Sequence, residues 1–277
     1  MQRVKETVKR VFPFAVPLVV RAHKARYRLR RSSRELAKSA VWWADPRGIV
    51  SRARMSAYAG CHRGERCFII GNGPSINQTD LSLLRHDVKF VMNRGYLLFD
   101  RLGGTQGIYF LSVNELVIQQ FAADIMRLDM PRFLSWKTRD SVPLAPGTVF
   151  FHTTGAAHGF SKHPQRVIYE GNTVTFAAMQ WAYFMGFREV ILIGVDHSFT
   201  TQGKPHETVT TADRDPNHFD PHYFGRGVNW QLPDLDGSEV AYRIARQVYE
   251  ADGRVIRDAT VGGKLNVFPK VAYESLF

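Results

Sequence analysis

Apolar residues in this chain gather in short continuous runs, separated by stretches of helical spacing. Arg66–Gly71 (RCFIIG), Lys89–Asn93 (KFVMN), Ile108–Ser112 (IYFLS), Arg132–Trp136, Thr148–His152 and Val167–Tyr169 have the length of strands. Their apolar positions are mostly consecutive rather than alternating, the pattern of a sheet covered on both faces. Glu189–Val195 (EVILIGV) is the strongest such run and reads as a central parallel strand. Between the runs, Glu115–Leu128 places Leu116, Ile118, Phe121, Ala122 and Ile125 near one helical face. Thr173–Gly186 is apolar almost all round, which predicts a buried helix closed by Gly186. Ser238–Ala251 is amphipathic and ends before Gly253, and Arg254–Asp258 is a last strand. This alternation predicts an α/β domain, a Rossmann-like, mostly parallel sheet with helices on both faces.

Two stretches interrupt the alternation. Asp140–His163 is loop-rich, and His197–Asp236 is long, polar and punctuated by prolines and glycines. A loop of that length inside a compact domain is usually functional or disordered. This one leaves the carboxyl end of the strongest strand, where open α/β sheets bind ligands.

Composition sharpens the picture in three places. With 277 residues, 44% of them apolar, the chain can bury a real core and is not a disordered protein. Its two cysteines, Cys61 and Cys67, exclude a disulfide scaffold and make a poor zinc site without a second pair. The formal charge of +12 is unevenly placed: residues 1–66 hold 17 Lys/Arg against 4 Asp/Glu, and residues 67–277 hold 20 against 21. A neutral body argues against nucleic acid as its partner. In the basic segment, Phe12–Val20 is the only apolar run, interrupted by two prolines. It is too short for a bilayer span of about 20 residues. Arginines follow it with no small-residue cleavage site, unlike a secretory signal. With Trp42 and Trp43 beside Val41, residues 1–58 predict a basic, helical arm lying on anionic lipid at the cytoplasmic face of the membrane, and residues 59–277 the globular domain. The plainer alternative is a basic segment packed on the body; a transit peptide and an RNA-binding arm are two further ones.

Candidate chemistry begins at Phe68–Ser75 (FIIGNGPS), an apolar strand running into Gly71-Asn72-Gly73, then Pro74 and Ser75. Pro74 suits the first position of a helix. Small residues here would let a ligand approach the backbone, with freed N–H groups facing an anion. The segment is neither a P-loop nor a dinucleotide fingerprint, since it lacks both GxxxxGK[ST] and the third glycine of GxGxxG. A tight strand-to-helix turn is the bland alternative. Among the histidines, His222 sits in a loop near Asp213, Asp215, His218 and Asp220, and an imidazole near neutral pH can act as a general base.

The wider order of motifs is GNGPS, Asn93 in FVMNRGYLLFD, Asn114 in YFLSVNELVIQQF, MGFREVILIGVD, and then HYFG. This order resembles the bacterial lipooligosaccharide sialyltransferases, which use CMP-sialic acid. It also resembles the wider superfamily of MptE-like, 6-hydroxymethylpterin diphosphokinase-like domains; the HYFG match tilts toward the sialyltransferases. The resemblance covers about residues 66–260. It implies that Asn72 contacts the nucleotide and its phosphate, and that Asn93 and Asn114 hold donor sugar and phosphate. Asn172 and Thr173 would lie near the sugar carboxylate, Gly194 and Asp196 beside the ribose or base, and His222 would be the general base. The family's tyrosines after GxD are replaced here by His197-Ser198-Phe199. His197, Lys204 or Tyr223 would then steady the leaving phosphate.

The resemblance implies a nucleotide-dependent transferase, a glycosyltransferase first, taking a nucleotide-sugar donor and a glycan or lipid-linked acceptor without a metal. The alternatives are a diphosphokinase using ATP and Mg²⁺, with Asp196 and the Asp213/Asp215 and Asp234/Asp236 strings as candidate ligands, and a nucleotide-binding module without activity. An oligomer is compatible with either enzyme.

Overall fold

The computed structural model describes residues 37–155 and 158–277. Strands β1 (Arg66–Ile70), β2 (Val88–Met92), β3 (Ile108–Ser112), β4 (Arg132–Ser135) and β5 (Thr148–Phe151) lie side by side. A short pair, β6 (Thr153–Thr154) and β7 (Ile168–Tyr169), follows. The chain then returns to the other flank of β1 to lay down β8 (Glu189–Ile193). After a two-stranded antiparallel ribbon, β9 (Thr208–Thr210) and β10 (Asn229–Gln231), comes β11 (Val255–Asp258). The main sheet has seven strands in the order β11-β8-β1-β2-β3-β4-β5, and every neighbouring pair is parallel. This is an α/β, Rossmann-like architecture. Cys67–Ile70 and Val190–Ile193 are fully buried, as their continuous apolar runs require. The direction of strand addition reverses between β1 and β8, which is the topological switch point of the sheet.

Helices α1 (Pro46–Ser56), α2 (Glu115–Gln120), α3 (Ala122–Arg127), α4 (Val174–Met185) and α5 (Leu235–Ala251) accompany the strands. Ten of the twelve residues of α4 are buried, in keeping with its all-round apolar sequence. Thr173 caps its start, accepting the Thr175 N–H, and Gly186 at φ 94° closes its end. Trp181 of α4 stacks on Phe133, with ring centroids 4.1 Å apart. The Tyr249 hydroxyl of α5 donates to Met179 O at 2.7 Å. The stretch read as one helix over Glu115–Leu128 is broken at Phe121 (φ −117°, ψ 24°) into α2 and α3. The apolar stripe continues across the break, so spacing alone cannot reveal it.

Arg47–Phe277 form one compact unit. That unit takes in most of α1 as well as residues 59–277. Arg54 Nη1 donates to Ala145 O (2.8 Å) and Thr148 O (2.7 Å), and Ser51 Oγ accepts the Phe150 N–H at 3.1 Å. The expected arm lies outside the described residues up to 36, while 37–44 are helical. Trp42 is fully buried and Trp43 is half exposed, so only one of the two indoles is open to a membrane interface. No helix among the described residues is long and apolar enough to cross a membrane.

The long stretch after β8 carries a small core of its own. His218 stacks on Tyr223 (4.1 Å), and Trp230 stacks on both Phe224 (5.6 Å) and Phe199 (6.3 Å). Buried Asn217 braces it, its Oδ1 accepting from the Thr200 N–H (2.7 Å) and hydroxyl (3.0 Å). The stretch is tied to the body where the Phe219 N–H donates to Asn72 O (3.0 Å) and Asn77 Nδ2 donates to Phe219 O (2.7 Å). Gln120 and Asn229 exchange two further hydrogen bonds. It forms a fixed roof over the carboxyl edge of the sheet.

Candidate active site at the switch point

The loops leaving β1 and β8 interlock. The Gly71 N–H donates to Ile193 O (2.7 Å) and the Gly73 N–H to Gly194 O (3.0 Å), continuing the ladder past both strand ends. A Cβ on Gly71 would fall on the Gly194 carbonyl, and one on Gly194, at φ 66°, would fall on Ile76. Gly73 has an ordinary φ of −71°, but a Cβ there would strike the Asp196 carboxylate. That carboxylate accepts from the Ser75 N–H (3.1 Å) and from Ser75 Oγ (2.7 Å). Pro74 opens a five-residue 3-10 turn, Pro74–Gln78, rather than an α-helix. The expectation of free N–H groups at a helix N-terminus is thus corrected. The glycines make room for the facing loop, and the N–H groups of Gly73, Ser75 and Ile76 are satisfied within the protein.

Above this interlock opens a cleft of about 180 Å³. Gly71, Asn72, Gly73, Gly194 and Asp196 form its base, with Asn93, Asn172 and Thr173 beside them. His197, Ser198, Phe199, Asn217 and His218 line it from the roof, and Asp234, Ser238 and Tyr242 line it from the start of α5. Four non-glycine residues have a left-handed backbone among the described residues, and three of them, Asn93 (φ 54°), Asn172 (φ 61°) and His197 (φ 54°), line this cleft. Such conformations cost about 1–3 kcal/mol each and gather at functional sites.

Hydrogen bonds fix what these side chains offer a ligand. Asn93 Oδ1 accepts from Ser112 Oγ at 2.8 Å, which leaves the amide N–H₂ as its donor group. Asn72 Nδ2 donates to Met92 O at 3.2 Å, while its buried Oδ1 has no partner. His197 Nε2 lies 3.1 Å from Glu239 Oε1. His218 Nδ1 lies 2.7 Å from Asp215 Oδ2, and buried Asp215 also accepts the Asn217 N–H at 2.9 Å. An ionised Asp215 places the ring proton on Nδ1 and leaves Nε2 as the accepting nitrogen. Burial raises the Tyr223 phenol well above its ordinary value, so a neutral ring backs His218; its oxygen accepts the Arg94 N–H at 3.1 Å.

The remaining expected residues fall elsewhere. Ser75 and Pro74 support the interlock without lining the cleft. Tyr223 is a platform behind it. Asn114 caps α2, accepting the Val117 N–H at 3.2 Å, and lines a neighbouring cavity. Lys204 is exposed and outside the cleft. His222 is exposed and also outside it. Its backbone is held, with its N–H donating to Asp220 Oδ1 at 2.7 Å and its carbonyl accepting from Arg94 at 2.9 Å. Of the two histidines, His218 lines the cleft and His222 does not. The Asp215–His218 spacing was visible in the sequence, but nothing there distinguished Asp215 from its exposed neighbours.

No Lys or Arg lines the cleft among the described residues. Both of its carboxylates are engaged: Asp196 by Ser75, and Asp234 by the Gly237 N–H at 2.8 Å. No group of three or more His, Cys, Asp or Glu side chains is placed to hold a metal ion among the described residues. Asp196 and Asp234 are the carboxylates of the cleft that could meet an Mg²⁺ carried in on a nucleotide's own phosphates. Set against known protein families, curated proteins and solved structures, the chain matches none of them.

Proposed function

We propose that the protein is a nucleotide-dependent transferase working at the switch-point cleft. In this reading it moves a glycosyl group from a nucleoside-monophosphate-linked sugar to an acceptor hydroxyl. The observation that carries this reading is the lining of the cleft: two histidines, amides and hydroxyls, two aspartates already engaged by Ser75 and by the Gly237 N–H, and no described Lys or Arg. Nucleoside di- and triphosphates are ordinarily met by Lys, Arg or Mg²⁺. A single phosphodiester brings one negative charge, which one imidazolium can balance. The resemblance to enzymes that use CMP-sialic acid supports the same donor class.

His218 and His197 would divide the chemistry. His218 Nε2, oriented through Asp215, takes the proton of the acceptor hydroxyl as its oxygen bonds to the anomeric carbon. The bond from that carbon to the phosphate oxygen breaks, and its electron pair leaves with the phosphate. His197, its proton shared with Glu239, and the Asn93 N–H₂ group stabilise the departing anion. His197 thereby takes the place of the tyrosines that the resembled family carries after GxD. The basic segment before the body would hold the enzyme on an anionic, cytoplasmic membrane surface, where lipid-linked glycans are extended.

Thermal shift with CMP, UDP and ATP, each with and without Mg²⁺, tests the donor class. CMP is expected to raise the melting temperature without metal. A rise confined to ATP with Mg²⁺ would replace this reading with the diphosphokinase. CMP binding without turnover of any CMP-sugar would leave a nucleotide-binding module.

A further inference from the structure

The carboxyl edge of the sheet continues beyond the switch point into a second cavity of about 570 Å³. It passes Asn93 after β2, Asn114 after β3 and Lys137 after β4, and is lined on another side by Thr208 and Gln231 of the β9–β10 ribbon. It shares Asn93, Asn172, Thr173, Val174 and Pro233 with the first cleft. The two spaces therefore adjoin along a wall that includes two left-handed asparagines.

The charges of this second cavity largely satisfy one another. Lys137 Nζ lies 2.6 Å from Glu170 Oε1 and 3.7 Å from Glu115 Oε1. His206 faces Asp234 at 3.7 Å. Two carboxylates against one ammonium leave the described wall acidic, and the other polar groups lining it are mainly amides and hydroxyls. A phosphate entering here meets two like charges and a lysine already held by them. A sugar's hydroxyls meet carboxylates that accept, and amides that both accept and donate.

We infer that this cavity binds the acceptor as an uncharged, polyhydroxylated group, its reactive hydroxyl presented across the shared wall toward His218. The direction of transfer rests on the transferase reading above; the binding preference stands apart from it. If the acceptor is carried on a lipid phosphate, that phosphate stays outside the cavity.

Saturation-transfer NMR on the full chain tests this, with neutral mono- and disaccharides (glucose, galactose, N-acetylglucosamine, lactose) and the corresponding sugar phosphates as probes. At least one neutral sugar is expected to bind, and its phosphate about 10-fold more weakly or less. Glu170→Gln is expected to weaken the neutral sugar about 10-fold, the usual scale for a lost charge-assisted hydrogen bond. Thr208→Trp, at an exposed position of the ribbon, is expected to abolish saccharide binding by filling the space, while the thermal shift with CMP persists. The inference is overturned if sugar phosphates bind as well as neutral sugars, if no sugar of the panel binds, or if binding survives both variants. Sugar binding without any CMP-induced shift would instead sink the transferase reading and leave this one standing.

Discussion

Gly73 is the sharpest place to test the interlock between the β1 and β8 loops. Its backbone, φ −71° and ψ 160°, suits any residue, so Gly73→Ala carries no conformational penalty. It even gains about 0.5 kcal/mol by restricting the unfolded chain. The cost arises because the new methyl would strike the Asp196 carboxylate. Asp196 must swing away and lose its hydrogen bonds to the Ser75 N–H (3.1 Å) and hydroxyl (2.7 Å). Hydrogen bonds to a charged group contribute about 1.5–3 kcal/mol each. The carboxylate is only half-buried, so we take the lower end and expect a net loss of about 2–3 kcal/mol. In a body of this size that lowers the melting temperature by roughly 4–12 °C. In an Asp196→Ala background only the Gly194 carbonyl, 2.9 Å from the new methyl, still has to give, and Gly73→Ala should cost about 1 kcal/mol or less. Urea unfolding of the four proteins, followed by circular dichroism, measures the coupling. Equal losses in both backgrounds would refute the steric account. A fully stable Gly73→Ala that no longer binds CMP would show that the glycine is reserved for a ligand.

Four further outcomes follow from the geometry. His218→Ala should cut turnover by about 100-fold or more, with Asp215→Asn intermediate and His222→Ala near wild type; equal losses at 218 and 222 would refute His218 as the base. Trp230→Ala, which empties the core of the roof, should cost about 3–5 kcal/mol locally and open cleavage sites between 199 and 230 to limited proteolysis; unchanged resistance would mean that the roof is held only by its ties to the body. Burial raises the phenols of Tyr223, Tyr242 and Tyr249 above the ordinary 10.0, so their contribution to stability is complete below that pH and is lost as pH rises through and past it; ultraviolet titration should show these tyrosinates only as the protein unfolds, and their appearance in a folded protein near pH 10 would contradict their burial. Removing residues 1–46 should abolish binding to anionic vesicles and leave CMP affinity unchanged, whereas undiminished vesicle binding would put the membrane surface on the body.

The parallel sheet was legible because buried strands such as Phe68–Ile70 and Val190–Ile193 have no solvent side to alternate with. Helix α4 was legible for the same reason, and its Gly186 cap marked its end. The break at Phe121 was not, since the residues on both sides keep one apolar face. FIIGNGPS could be read as a turn, but not what fills it: Asp196 is 121 residues away in sequence. His218 was passed over for a similar reason. Its value comes from the burial of Asp215 and the stacking of Tyr223, neither of which a run of loop residues announces.

The roof meets the body through a handful of polar ties: Phe219 with Asn72 and Asn77, Arg94 with the backbone of His222 and Tyr223, and Gln120 with Asn229. Most of its other contacts are with its own aromatic residues. Such a piece can be exchanged without disturbing the sheet, provided those anchor points are kept. The interlock below and the ribbon above can therefore diverge at different rates. A lineage could retain its cofactor-like half while trading one recipient molecule for another. Grafting a foreign segment between Ser198 and Pro233, with the Asn77, Arg94 and Gln120 partners preserved, would turn that modularity into an engineering route.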